Sequence, residues 1–154
     1  KEENIDTDHC LRIAVVHDLA EAETGDIATR AQDAEQETSE EEKHKLEHNF
    51  FQDISEVLED EHIEELWKEY DQKQTDEAKF VKDMDKIELC LQALKYEIDQ
   101  RYDPEENNEN FQEYDNLDEF FVTTEPKINT STGKQLFQEI RQRYEEAKIQ
   151  GKDI

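Results

Sequence analysis

Breaks are scarce in this chain. Three glycines and two prolines in 154 residues leave little of the punctuation that short strands require, and period-two alternation is nearly absent, so an all-α fold is expected. There are two cysteines, Cys10 and Cys90, each inside an apolar run. They give no disulfide framework and fit a reducing, cytoplasmic compartment. No stretch is long and apolar enough for a membrane span or a signal peptide. Positive charge is short too: 18 Lys and Arg stand against 44 Asp and Glu, a formal net charge of −26. Such a surface repels nucleic-acid backbones and anionic membranes, so neither is an expected partner. It also repels phosphorylated metabolites unless a cation stands between.

What is present argues for a folded chain. A hydrophobic fraction of 33% beside 40% charged residues leans toward disorder, but the apolar residues recur at helical spacing. The chain is therefore read as one unusually acidic domain. A first helix is expected over about 8–24, capped by Asp6 or Thr7 and stopped by Gly25. With Leu11, Ile13, Val15, Val16 and Leu19 on nearly every side, it should be central and buried. After a polar loop at 28–38, Ser39 and Glu42 read as a capping box. The helix they open carries Leu46, Phe50, Ile54 and Leu58. A short helix follows around Ile63, Leu66, Trp67 and Tyr70. Thr75 caps a long helix, about 76–100, with the stripe Phe80, Met84, Ile87, Leu91 and Leu94. Residues 103–110 read as a loop, 111–121 as a short helix, Pro126 as a break, and 132–148 as a last helix carrying Leu136, Phe137, Ile140 and Tyr144. No internal repeat and no second domain is visible.

Chemistry concentrates in VVHDLAEAETGDI, residues 15–27. On a helix, His17 and Asp18 differ by about 100° in direction, yet both reach an ion placed beside the helix between them. A neutral nitrogen with a hard anionic oxygen suits a divalent transition metal. An Asp that merely orients a buried His fits the dipeptide as well. Glu21 lies four residues after His17 and three after Asp18, on a side shared with both, and Asp26 follows Gly25 where the helix stops. Burying three carboxylates and an imidazole is costly unless a cation, or a partner such as Arg12 or Arg30, offsets the charge.

HDLAEAETGDI resembles the signature of the HD-domain superfamily of metal-dependent phosphohydrolases, and most closely its 5′-deoxynucleotidase branch, where HDxxExxxxGD is typical. TDEAKFVKDMDKIELCLQALKYE resembles the later helix of that branch, and SEEEKHK its EEKH helix start. The match covers about residues 5–100 in the right order, and from Asn108 onward it is loose. The resemblance implies an all-α HD-domain helical bundle over 1–154. It implies that His17, Asp18 and Asp85 bind a divalent metal ion (Mn, Co, Mg or Zn), with Asp83 the competing candidate for the last place. It implies that Glu21 positions or activates the attacking water, and that Asp26 is a second acidic residue near the substrate. The family takes another His from an earlier helix, which would precede Lys1, so the chain is expected to lack the N-terminal helices. His9 does not replace that residue: eight positions before His17, it lies about 12 Å away along a helix, too far to share an ion with bonds near 2 Å.

The remaining candidates read as ordinary surface. His44 and His48 sit one turn apart among Lys43, Lys45, Glu41 and Glu47, as expected of a solvated face, and His62 reads the same way. Lys79, Lys82 and Lys86 form a stripe suited to ion pairs along the helix, or to a phosphate. STGK at 131–134 lacks the glycine and the Ser or Thr of a phosphate loop.

The resemblance thus implies a phosphomonoesterase acting on a (deoxy)nucleoside 5′-monophosphate, with a small-molecule nucleotide as partner and a homodimer as assembly. Two other functions fit the same motif: hydrolysis of a diphosphate or cyclic nucleotide, and a non-catalytic binding protein with a relic site. The charge alone generates one expectation. Self-repulsion at −26 is screened as the Debye length falls to about 3 Å at 1 M salt. The thermal midpoint should therefore rise with KCl, and a midpoint flat from low to molar salt counts against self-repulsion as a major cost.

Overall fold

The structure, a computed structural model, describes residues 4–25, 39–99 and 117–151. The loops expected at 28–38 and 103–110, residues 111–116 of the expected short helix, Asp26 and Arg30 lie outside them. The described residues are helical, with no strand among them, and none of their helices is long and apolar enough to cross a membrane. The helices are α1 (Thr7–Val16), α2 (Glu21–Thr24), α3 (Glu40–Leu58), α4 (His62–Gln72), α5 (Asp76–Asp99), α6 (Asp118–Thr124) and α7 (Ser131–Gly151), with a 3-10 turn at Glu125–Lys127. They divide into two compact units, 1–82 and 83–154, and the division falls within α5.

The starts of the helices follow the sequence. Asp6 accepts the amides of Asp8 and His9. Ser39 and Glu42 form a reciprocal capping box, and the Thr75 hydroxyl accepts the Ala78 amide at 3.1 Å. The ends are less legible, because α3 and α4 stop without glycine. Glu59 and Lys73 take the left-handed conformation there (φ 53° and 52°). Behind each, a bond from the next amide, Asp60 to Ser55 and Gln74 to Glu69, closes a Schellman turn.

The first helix is shorter than expected. It ends at Val16, residues 17–20 form a turn, and α2 is a single further turn. The bonds from Leu19 to Val16, Glu21 to Asp18 and Ala22 to Leu19 span three residues, so the chain tightens to 3-10 geometry. Neither Gly nor Pro marks this change. Nor is α1 buried on every side. Ile13 and Val16 are buried, but Leu11 is 60% and Val15 72% exposed. On α3 the buried positions are Phe51 and Ser55, while Leu46 and Leu58 face outward; on α5, Leu91 is exposed and Ala78, Val81, Cys90 and Ala93 are buried.

In the first unit, Cys10, Ile13, Tyr70, Ala78 and Val81 pack together, beside a cluster of Val16, Ala20, Phe51 and Trp67. Phe51 and Trp67 stack at 4.9 Å and 19°. In the second unit the core is Ile87, Cys90, Ala93, Leu94, Phe121, Ile128, Phe137, Ile140 and Tyr144. Tyr144 stacks on Phe121 at 4.3 Å and its hydroxyl accepts the Leu117 amide at 3.0 Å. Burial pushes the Cys90 thiol up to about 11, so it packs as a small apolar group and is no nucleophile at neutral pH.

Asp83 holds this second unit at the start of α7. Only 1% exposed, its carboxylate accepts the Thr130 amide and hydroxyl, both at 2.7 Å, and the Asn129 amide at 2.9 Å. The same Thr130 hydroxyl accepts the Gly133 amide at 3.0 Å, as an N-cap does. A β-carbon on Gly133 would lie 2.6 Å from Asp83 Oδ2, so glycine is required by the carboxylate's approach. Asp83→Ala should lower unfolding free energy by about 3 kcal/mol, because the two buried Thr130 donors and the part-buried Asn129 amide lose their acceptor, and Gly133→Ala should lower it in the same direction. Urea unfolding measures both, and unchanged midpoints would show that this carboxylate is not an anchor.

Candidate functional site

His17 and Asp18 open the tightened turn after α1, whose 3-10 geometry eclipses positions i and i+3. Here His17 Nε2 stands 2.9 Å from Asp18 Oδ2. His17 is largely enclosed, its side chain 16% exposed, while Asp18 is 54% exposed. Val16 and Ala20, on either side, are buried and anchor the turn.

The histidine's other nitrogen fixes its chemistry. Nδ1 lies 2.8 Å from the carbonyl of Ala14. A carbonyl only accepts, so Nδ1–H donates and Nε2 carries the lone pair of the neutral ring. That lone pair faces a carboxylate oxygen, and two acceptors repel. A proton or a metal cation on Nε2 turns the contact into attraction. A backbone bond to the far ring nitrogen is the usual support of a metal-ligating His. The ring's position is set by Tyr70, which it meets edge-on at 5.0 Å and 64°.

Glu21 opens α2, half-buried, three residues after Asp18 and therefore in eclipsed register with it across the turn. Asp26 lies outside the described residues. Asp85 is half-buried on α5, with Lys86 Nζ at 3.2 Å from Oδ2. His17 follows Ile13 by four residues and Asp85 follows Val81 by four; Ile13 and Val81 belong to the same buried cluster. Asp83, the competing candidate, has its carboxylate committed to Asn129 and Thr130.

Two residues that the sequence left out of the site adjoin it. Tyr70 carries the His17 ring on its edge, and Lys82 Nζ lies 4.4 Å from the Tyr70 ring centroid. Tyr70 gave no sequence signal beyond its place in an apolar stripe. The other histidines have acidic partners: His9 with Glu69 at 2.9 Å, His44 with Asp71 at 3.1 Å, His62 with Glu65 at 2.9 Å. His44 is exposed as expected and His48 half-buried, and both rings pack on Trp67, at 5.5 and 5.8 Å. Burial raises the pKa of Glu47 beside them, with Lys43 opposing.

Comparison with known proteins fits this geometry. The profile of a family described as HD domain matches residues 1–128. The chain is similar to the 5′-deoxynucleotidase HDDC2 of Xenopus laevis, 40% identical over 100 residues, which is 63% of this chain and 47% of that protein. It is similar to the 5′-deoxynucleotidase HDDC2 of Homo sapiens, 34% identical over 143 residues, 91% of this chain and 62% of that protein. It is likewise similar to the 5′-deoxynucleotidase hdd1 of Schizosaccharomyces pombe, 42% identical over 101 residues, 61% of this chain and 48% of that protein. The chain spans about half the length of most of the curated relatives it matches.

Proposed function

This chain belongs to the HD domain family, and on that premise we propose that it is a metal-dependent phosphohydrolase releasing phosphate from (deoxy)nucleoside 5′-monophosphates. The observation that carries the proposal is the His17 ring, whose Nδ1–H is bound to a backbone carbonyl and whose Nε2 is turned to a carboxylate. The names of the relatives give the substrate class. We take the whole of 1–154 as one HD-type domain, since the family profile runs across the division within α5. A homodimer in a reducing, cytoplasmic setting belongs to the same proposal, and the buried, reduced Cys10 and Cys90 suit it.

His17, Asp18 and Asp85 are the proposed metal ligands. They offer one imidazole nitrogen and two carboxylates, a donor set that suits a divalent ion of the first transition row and accommodates magnesium less readily. When bound, such an ion supplies Lewis acidity and charge neutralisation. The protein supplies the rest. Glu21 holds the attacking water and takes its proton. Asp26, just past Gly25, is proposed to act near the leaving group. The His17 ring is largely enclosed and packs edge-on against the buried Tyr70.

The direct test is a phosphate-release screen over ribo- and deoxynucleoside 5′-monophosphates, with diphosphates and cyclic nucleotides as comparison, each with several divalent ions. Release confined to monophosphates supports the proposal; release from none of them ends it. Ligand and base then fail differently when removed. Asp85→Ala should strip the metal and turnover together, as read by elemental analysis of folded protein. Asp83→Ala should cost stability and leave the metal content of the folded fraction near normal; equal metal losses would mean that the ligand register on α5 is wrong. Glu21→Gln should keep its metal and its substrate binding, with kcat reduced about 10²-fold or more. Near-normal kcat with retained metal would remove Glu21 from the chemistry.

A further inference from the structure

We propose that Lys82 is a phosphate-binding residue of this site: its ammonium, seated on the Tyr70 ring beside His17, takes an oxygen of the substrate's phosphoryl group. The proposal rests on the phosphohydrolase function given above and adds to it a residue for ground-state binding.

Shared contact with one aromatic ring places Lys82 near the His17 end of the site. Lys82 Nζ is 4.4 Å and the His17 ring 5.0 Å from the Tyr70 centroid, so the ammonium and the imidazole are separated by no more than the two distances together. Tyr70 is a fixed platform, buried with Cys10, Ile13, Ala78 and Val81. Lys82 also precedes Asp85 by three residues on α5, so the two share a side of that helix. Asp83, between them, is committed to the start of α7.

Charge supplies the reason for a cation there. Asp18, Glu21 and Asp85 bring three negative charges. A divalent ion offsets two of them, and a phosphate monoester adds about −1.5 to −2 near neutral pH. Lys86, 3.2 Å from Asp85, offsets the third, and the charge of the phosphate itself still calls for a further cation if substrate is to bind rather than be repelled. Lys79 pairs with the exposed Asp76 at 2.9 Å. An ammonium resting on an aromatic face keeps its charge while shedding part of its water, which strengthens its next anionic contact.

Inorganic phosphate is the probe. Its binding to the metal-loaded protein is measured by calorimetry, beside nucleotide kinetics, metal content and thermal midpoint, for the parent, Lys82→Met, Lys82→Arg and Lys79→Met. Lys82→Met should weaken phosphate binding about tenfold and raise KM similarly, with a smaller effect on kcat and metal content retained. Lys82→Arg should recover much of the binding, and Lys79→Met should behave as the parent. Lys82→Met that folds, holds metal and binds phosphate like the parent overturns the proposal while leaving the phosphohydrolase function standing. A loss of binding not recovered by Lys82→Arg and matched by a fallen thermal midpoint also overturns it, in favour of a packing role. A parent that neither binds phosphate nor releases it overturns both.

Discussion

The rotation of α5 about its own axis is the constraint that orders its side chains, and in the second unit a single carboxylate sets it. Asp83 must face the start of α7, because three donors there have no other acceptor of comparable strength. At 3.6 residues per turn, a residue two positions on points about 200° away. Asp85 is therefore directed to the opposite side of the helix by the same bonds that bury Asp83. In the first unit the phase is set by apolar contact instead, with Ala78 and Val81 turned into the cluster around Ile13.

In the first unit the candidate residues lie where regular helix ends. Neighbours diverge by about 100° on an α-helix and about 120° on a 3-10 turn, so the 2.9 Å approach of His17 Nε2 to Asp18 Oδ2 is made by the side chains and not by the tightening of the backbone. The Ala14 carbonyl settles which ring nitrogen is available. That the same segment carries the chain's densest chemistry accords with the general finding that irregular backbone gathers at functional sites.

Much of this was legible beforehand, though unevenly. Helix starts were clear because capping is written in side chains: Asp6, Ser39 with Glu42, and Thr75 all act as read. Helix ends were not, since Glu59 and Lys73 adopt a conformation normally signalled by glycine. The period of the apolar stripes was correct, and their phase held on α4, on α7 and over most of α5 but not on α1 or α3. Leu11, Val15, Leu46 and Leu91 are large and exposed, while Ala78, Cys90, Ala93 and Ser55 are small and buried; a pattern weighted by side-chain size finds the former. Asp83 was read as a competing metal ligand and not as an anchor, for a related reason. In a chain with 44 acidic residues, nothing local distinguishes a buried carboxylate from a solvated one. The HD motif exposed the chemistry because it is contiguous, whereas Tyr70 and Lys82 join it only through the fold.

The segment NTSTGK at the start of α7 illustrates a wider consequence. Its threonine, glycine and outward amides have the makings of a phosphate cradle, and the helix behind them favours negative charge. The position already has its anion, supplied in cis by α5. Asp83 is a resident counterion, covalently tethered, that no change in metabolite concentration can displace. A would-be receptor for soluble phosphate has become an internal rivet, so free phosphate finds no purchase at this helix terminus.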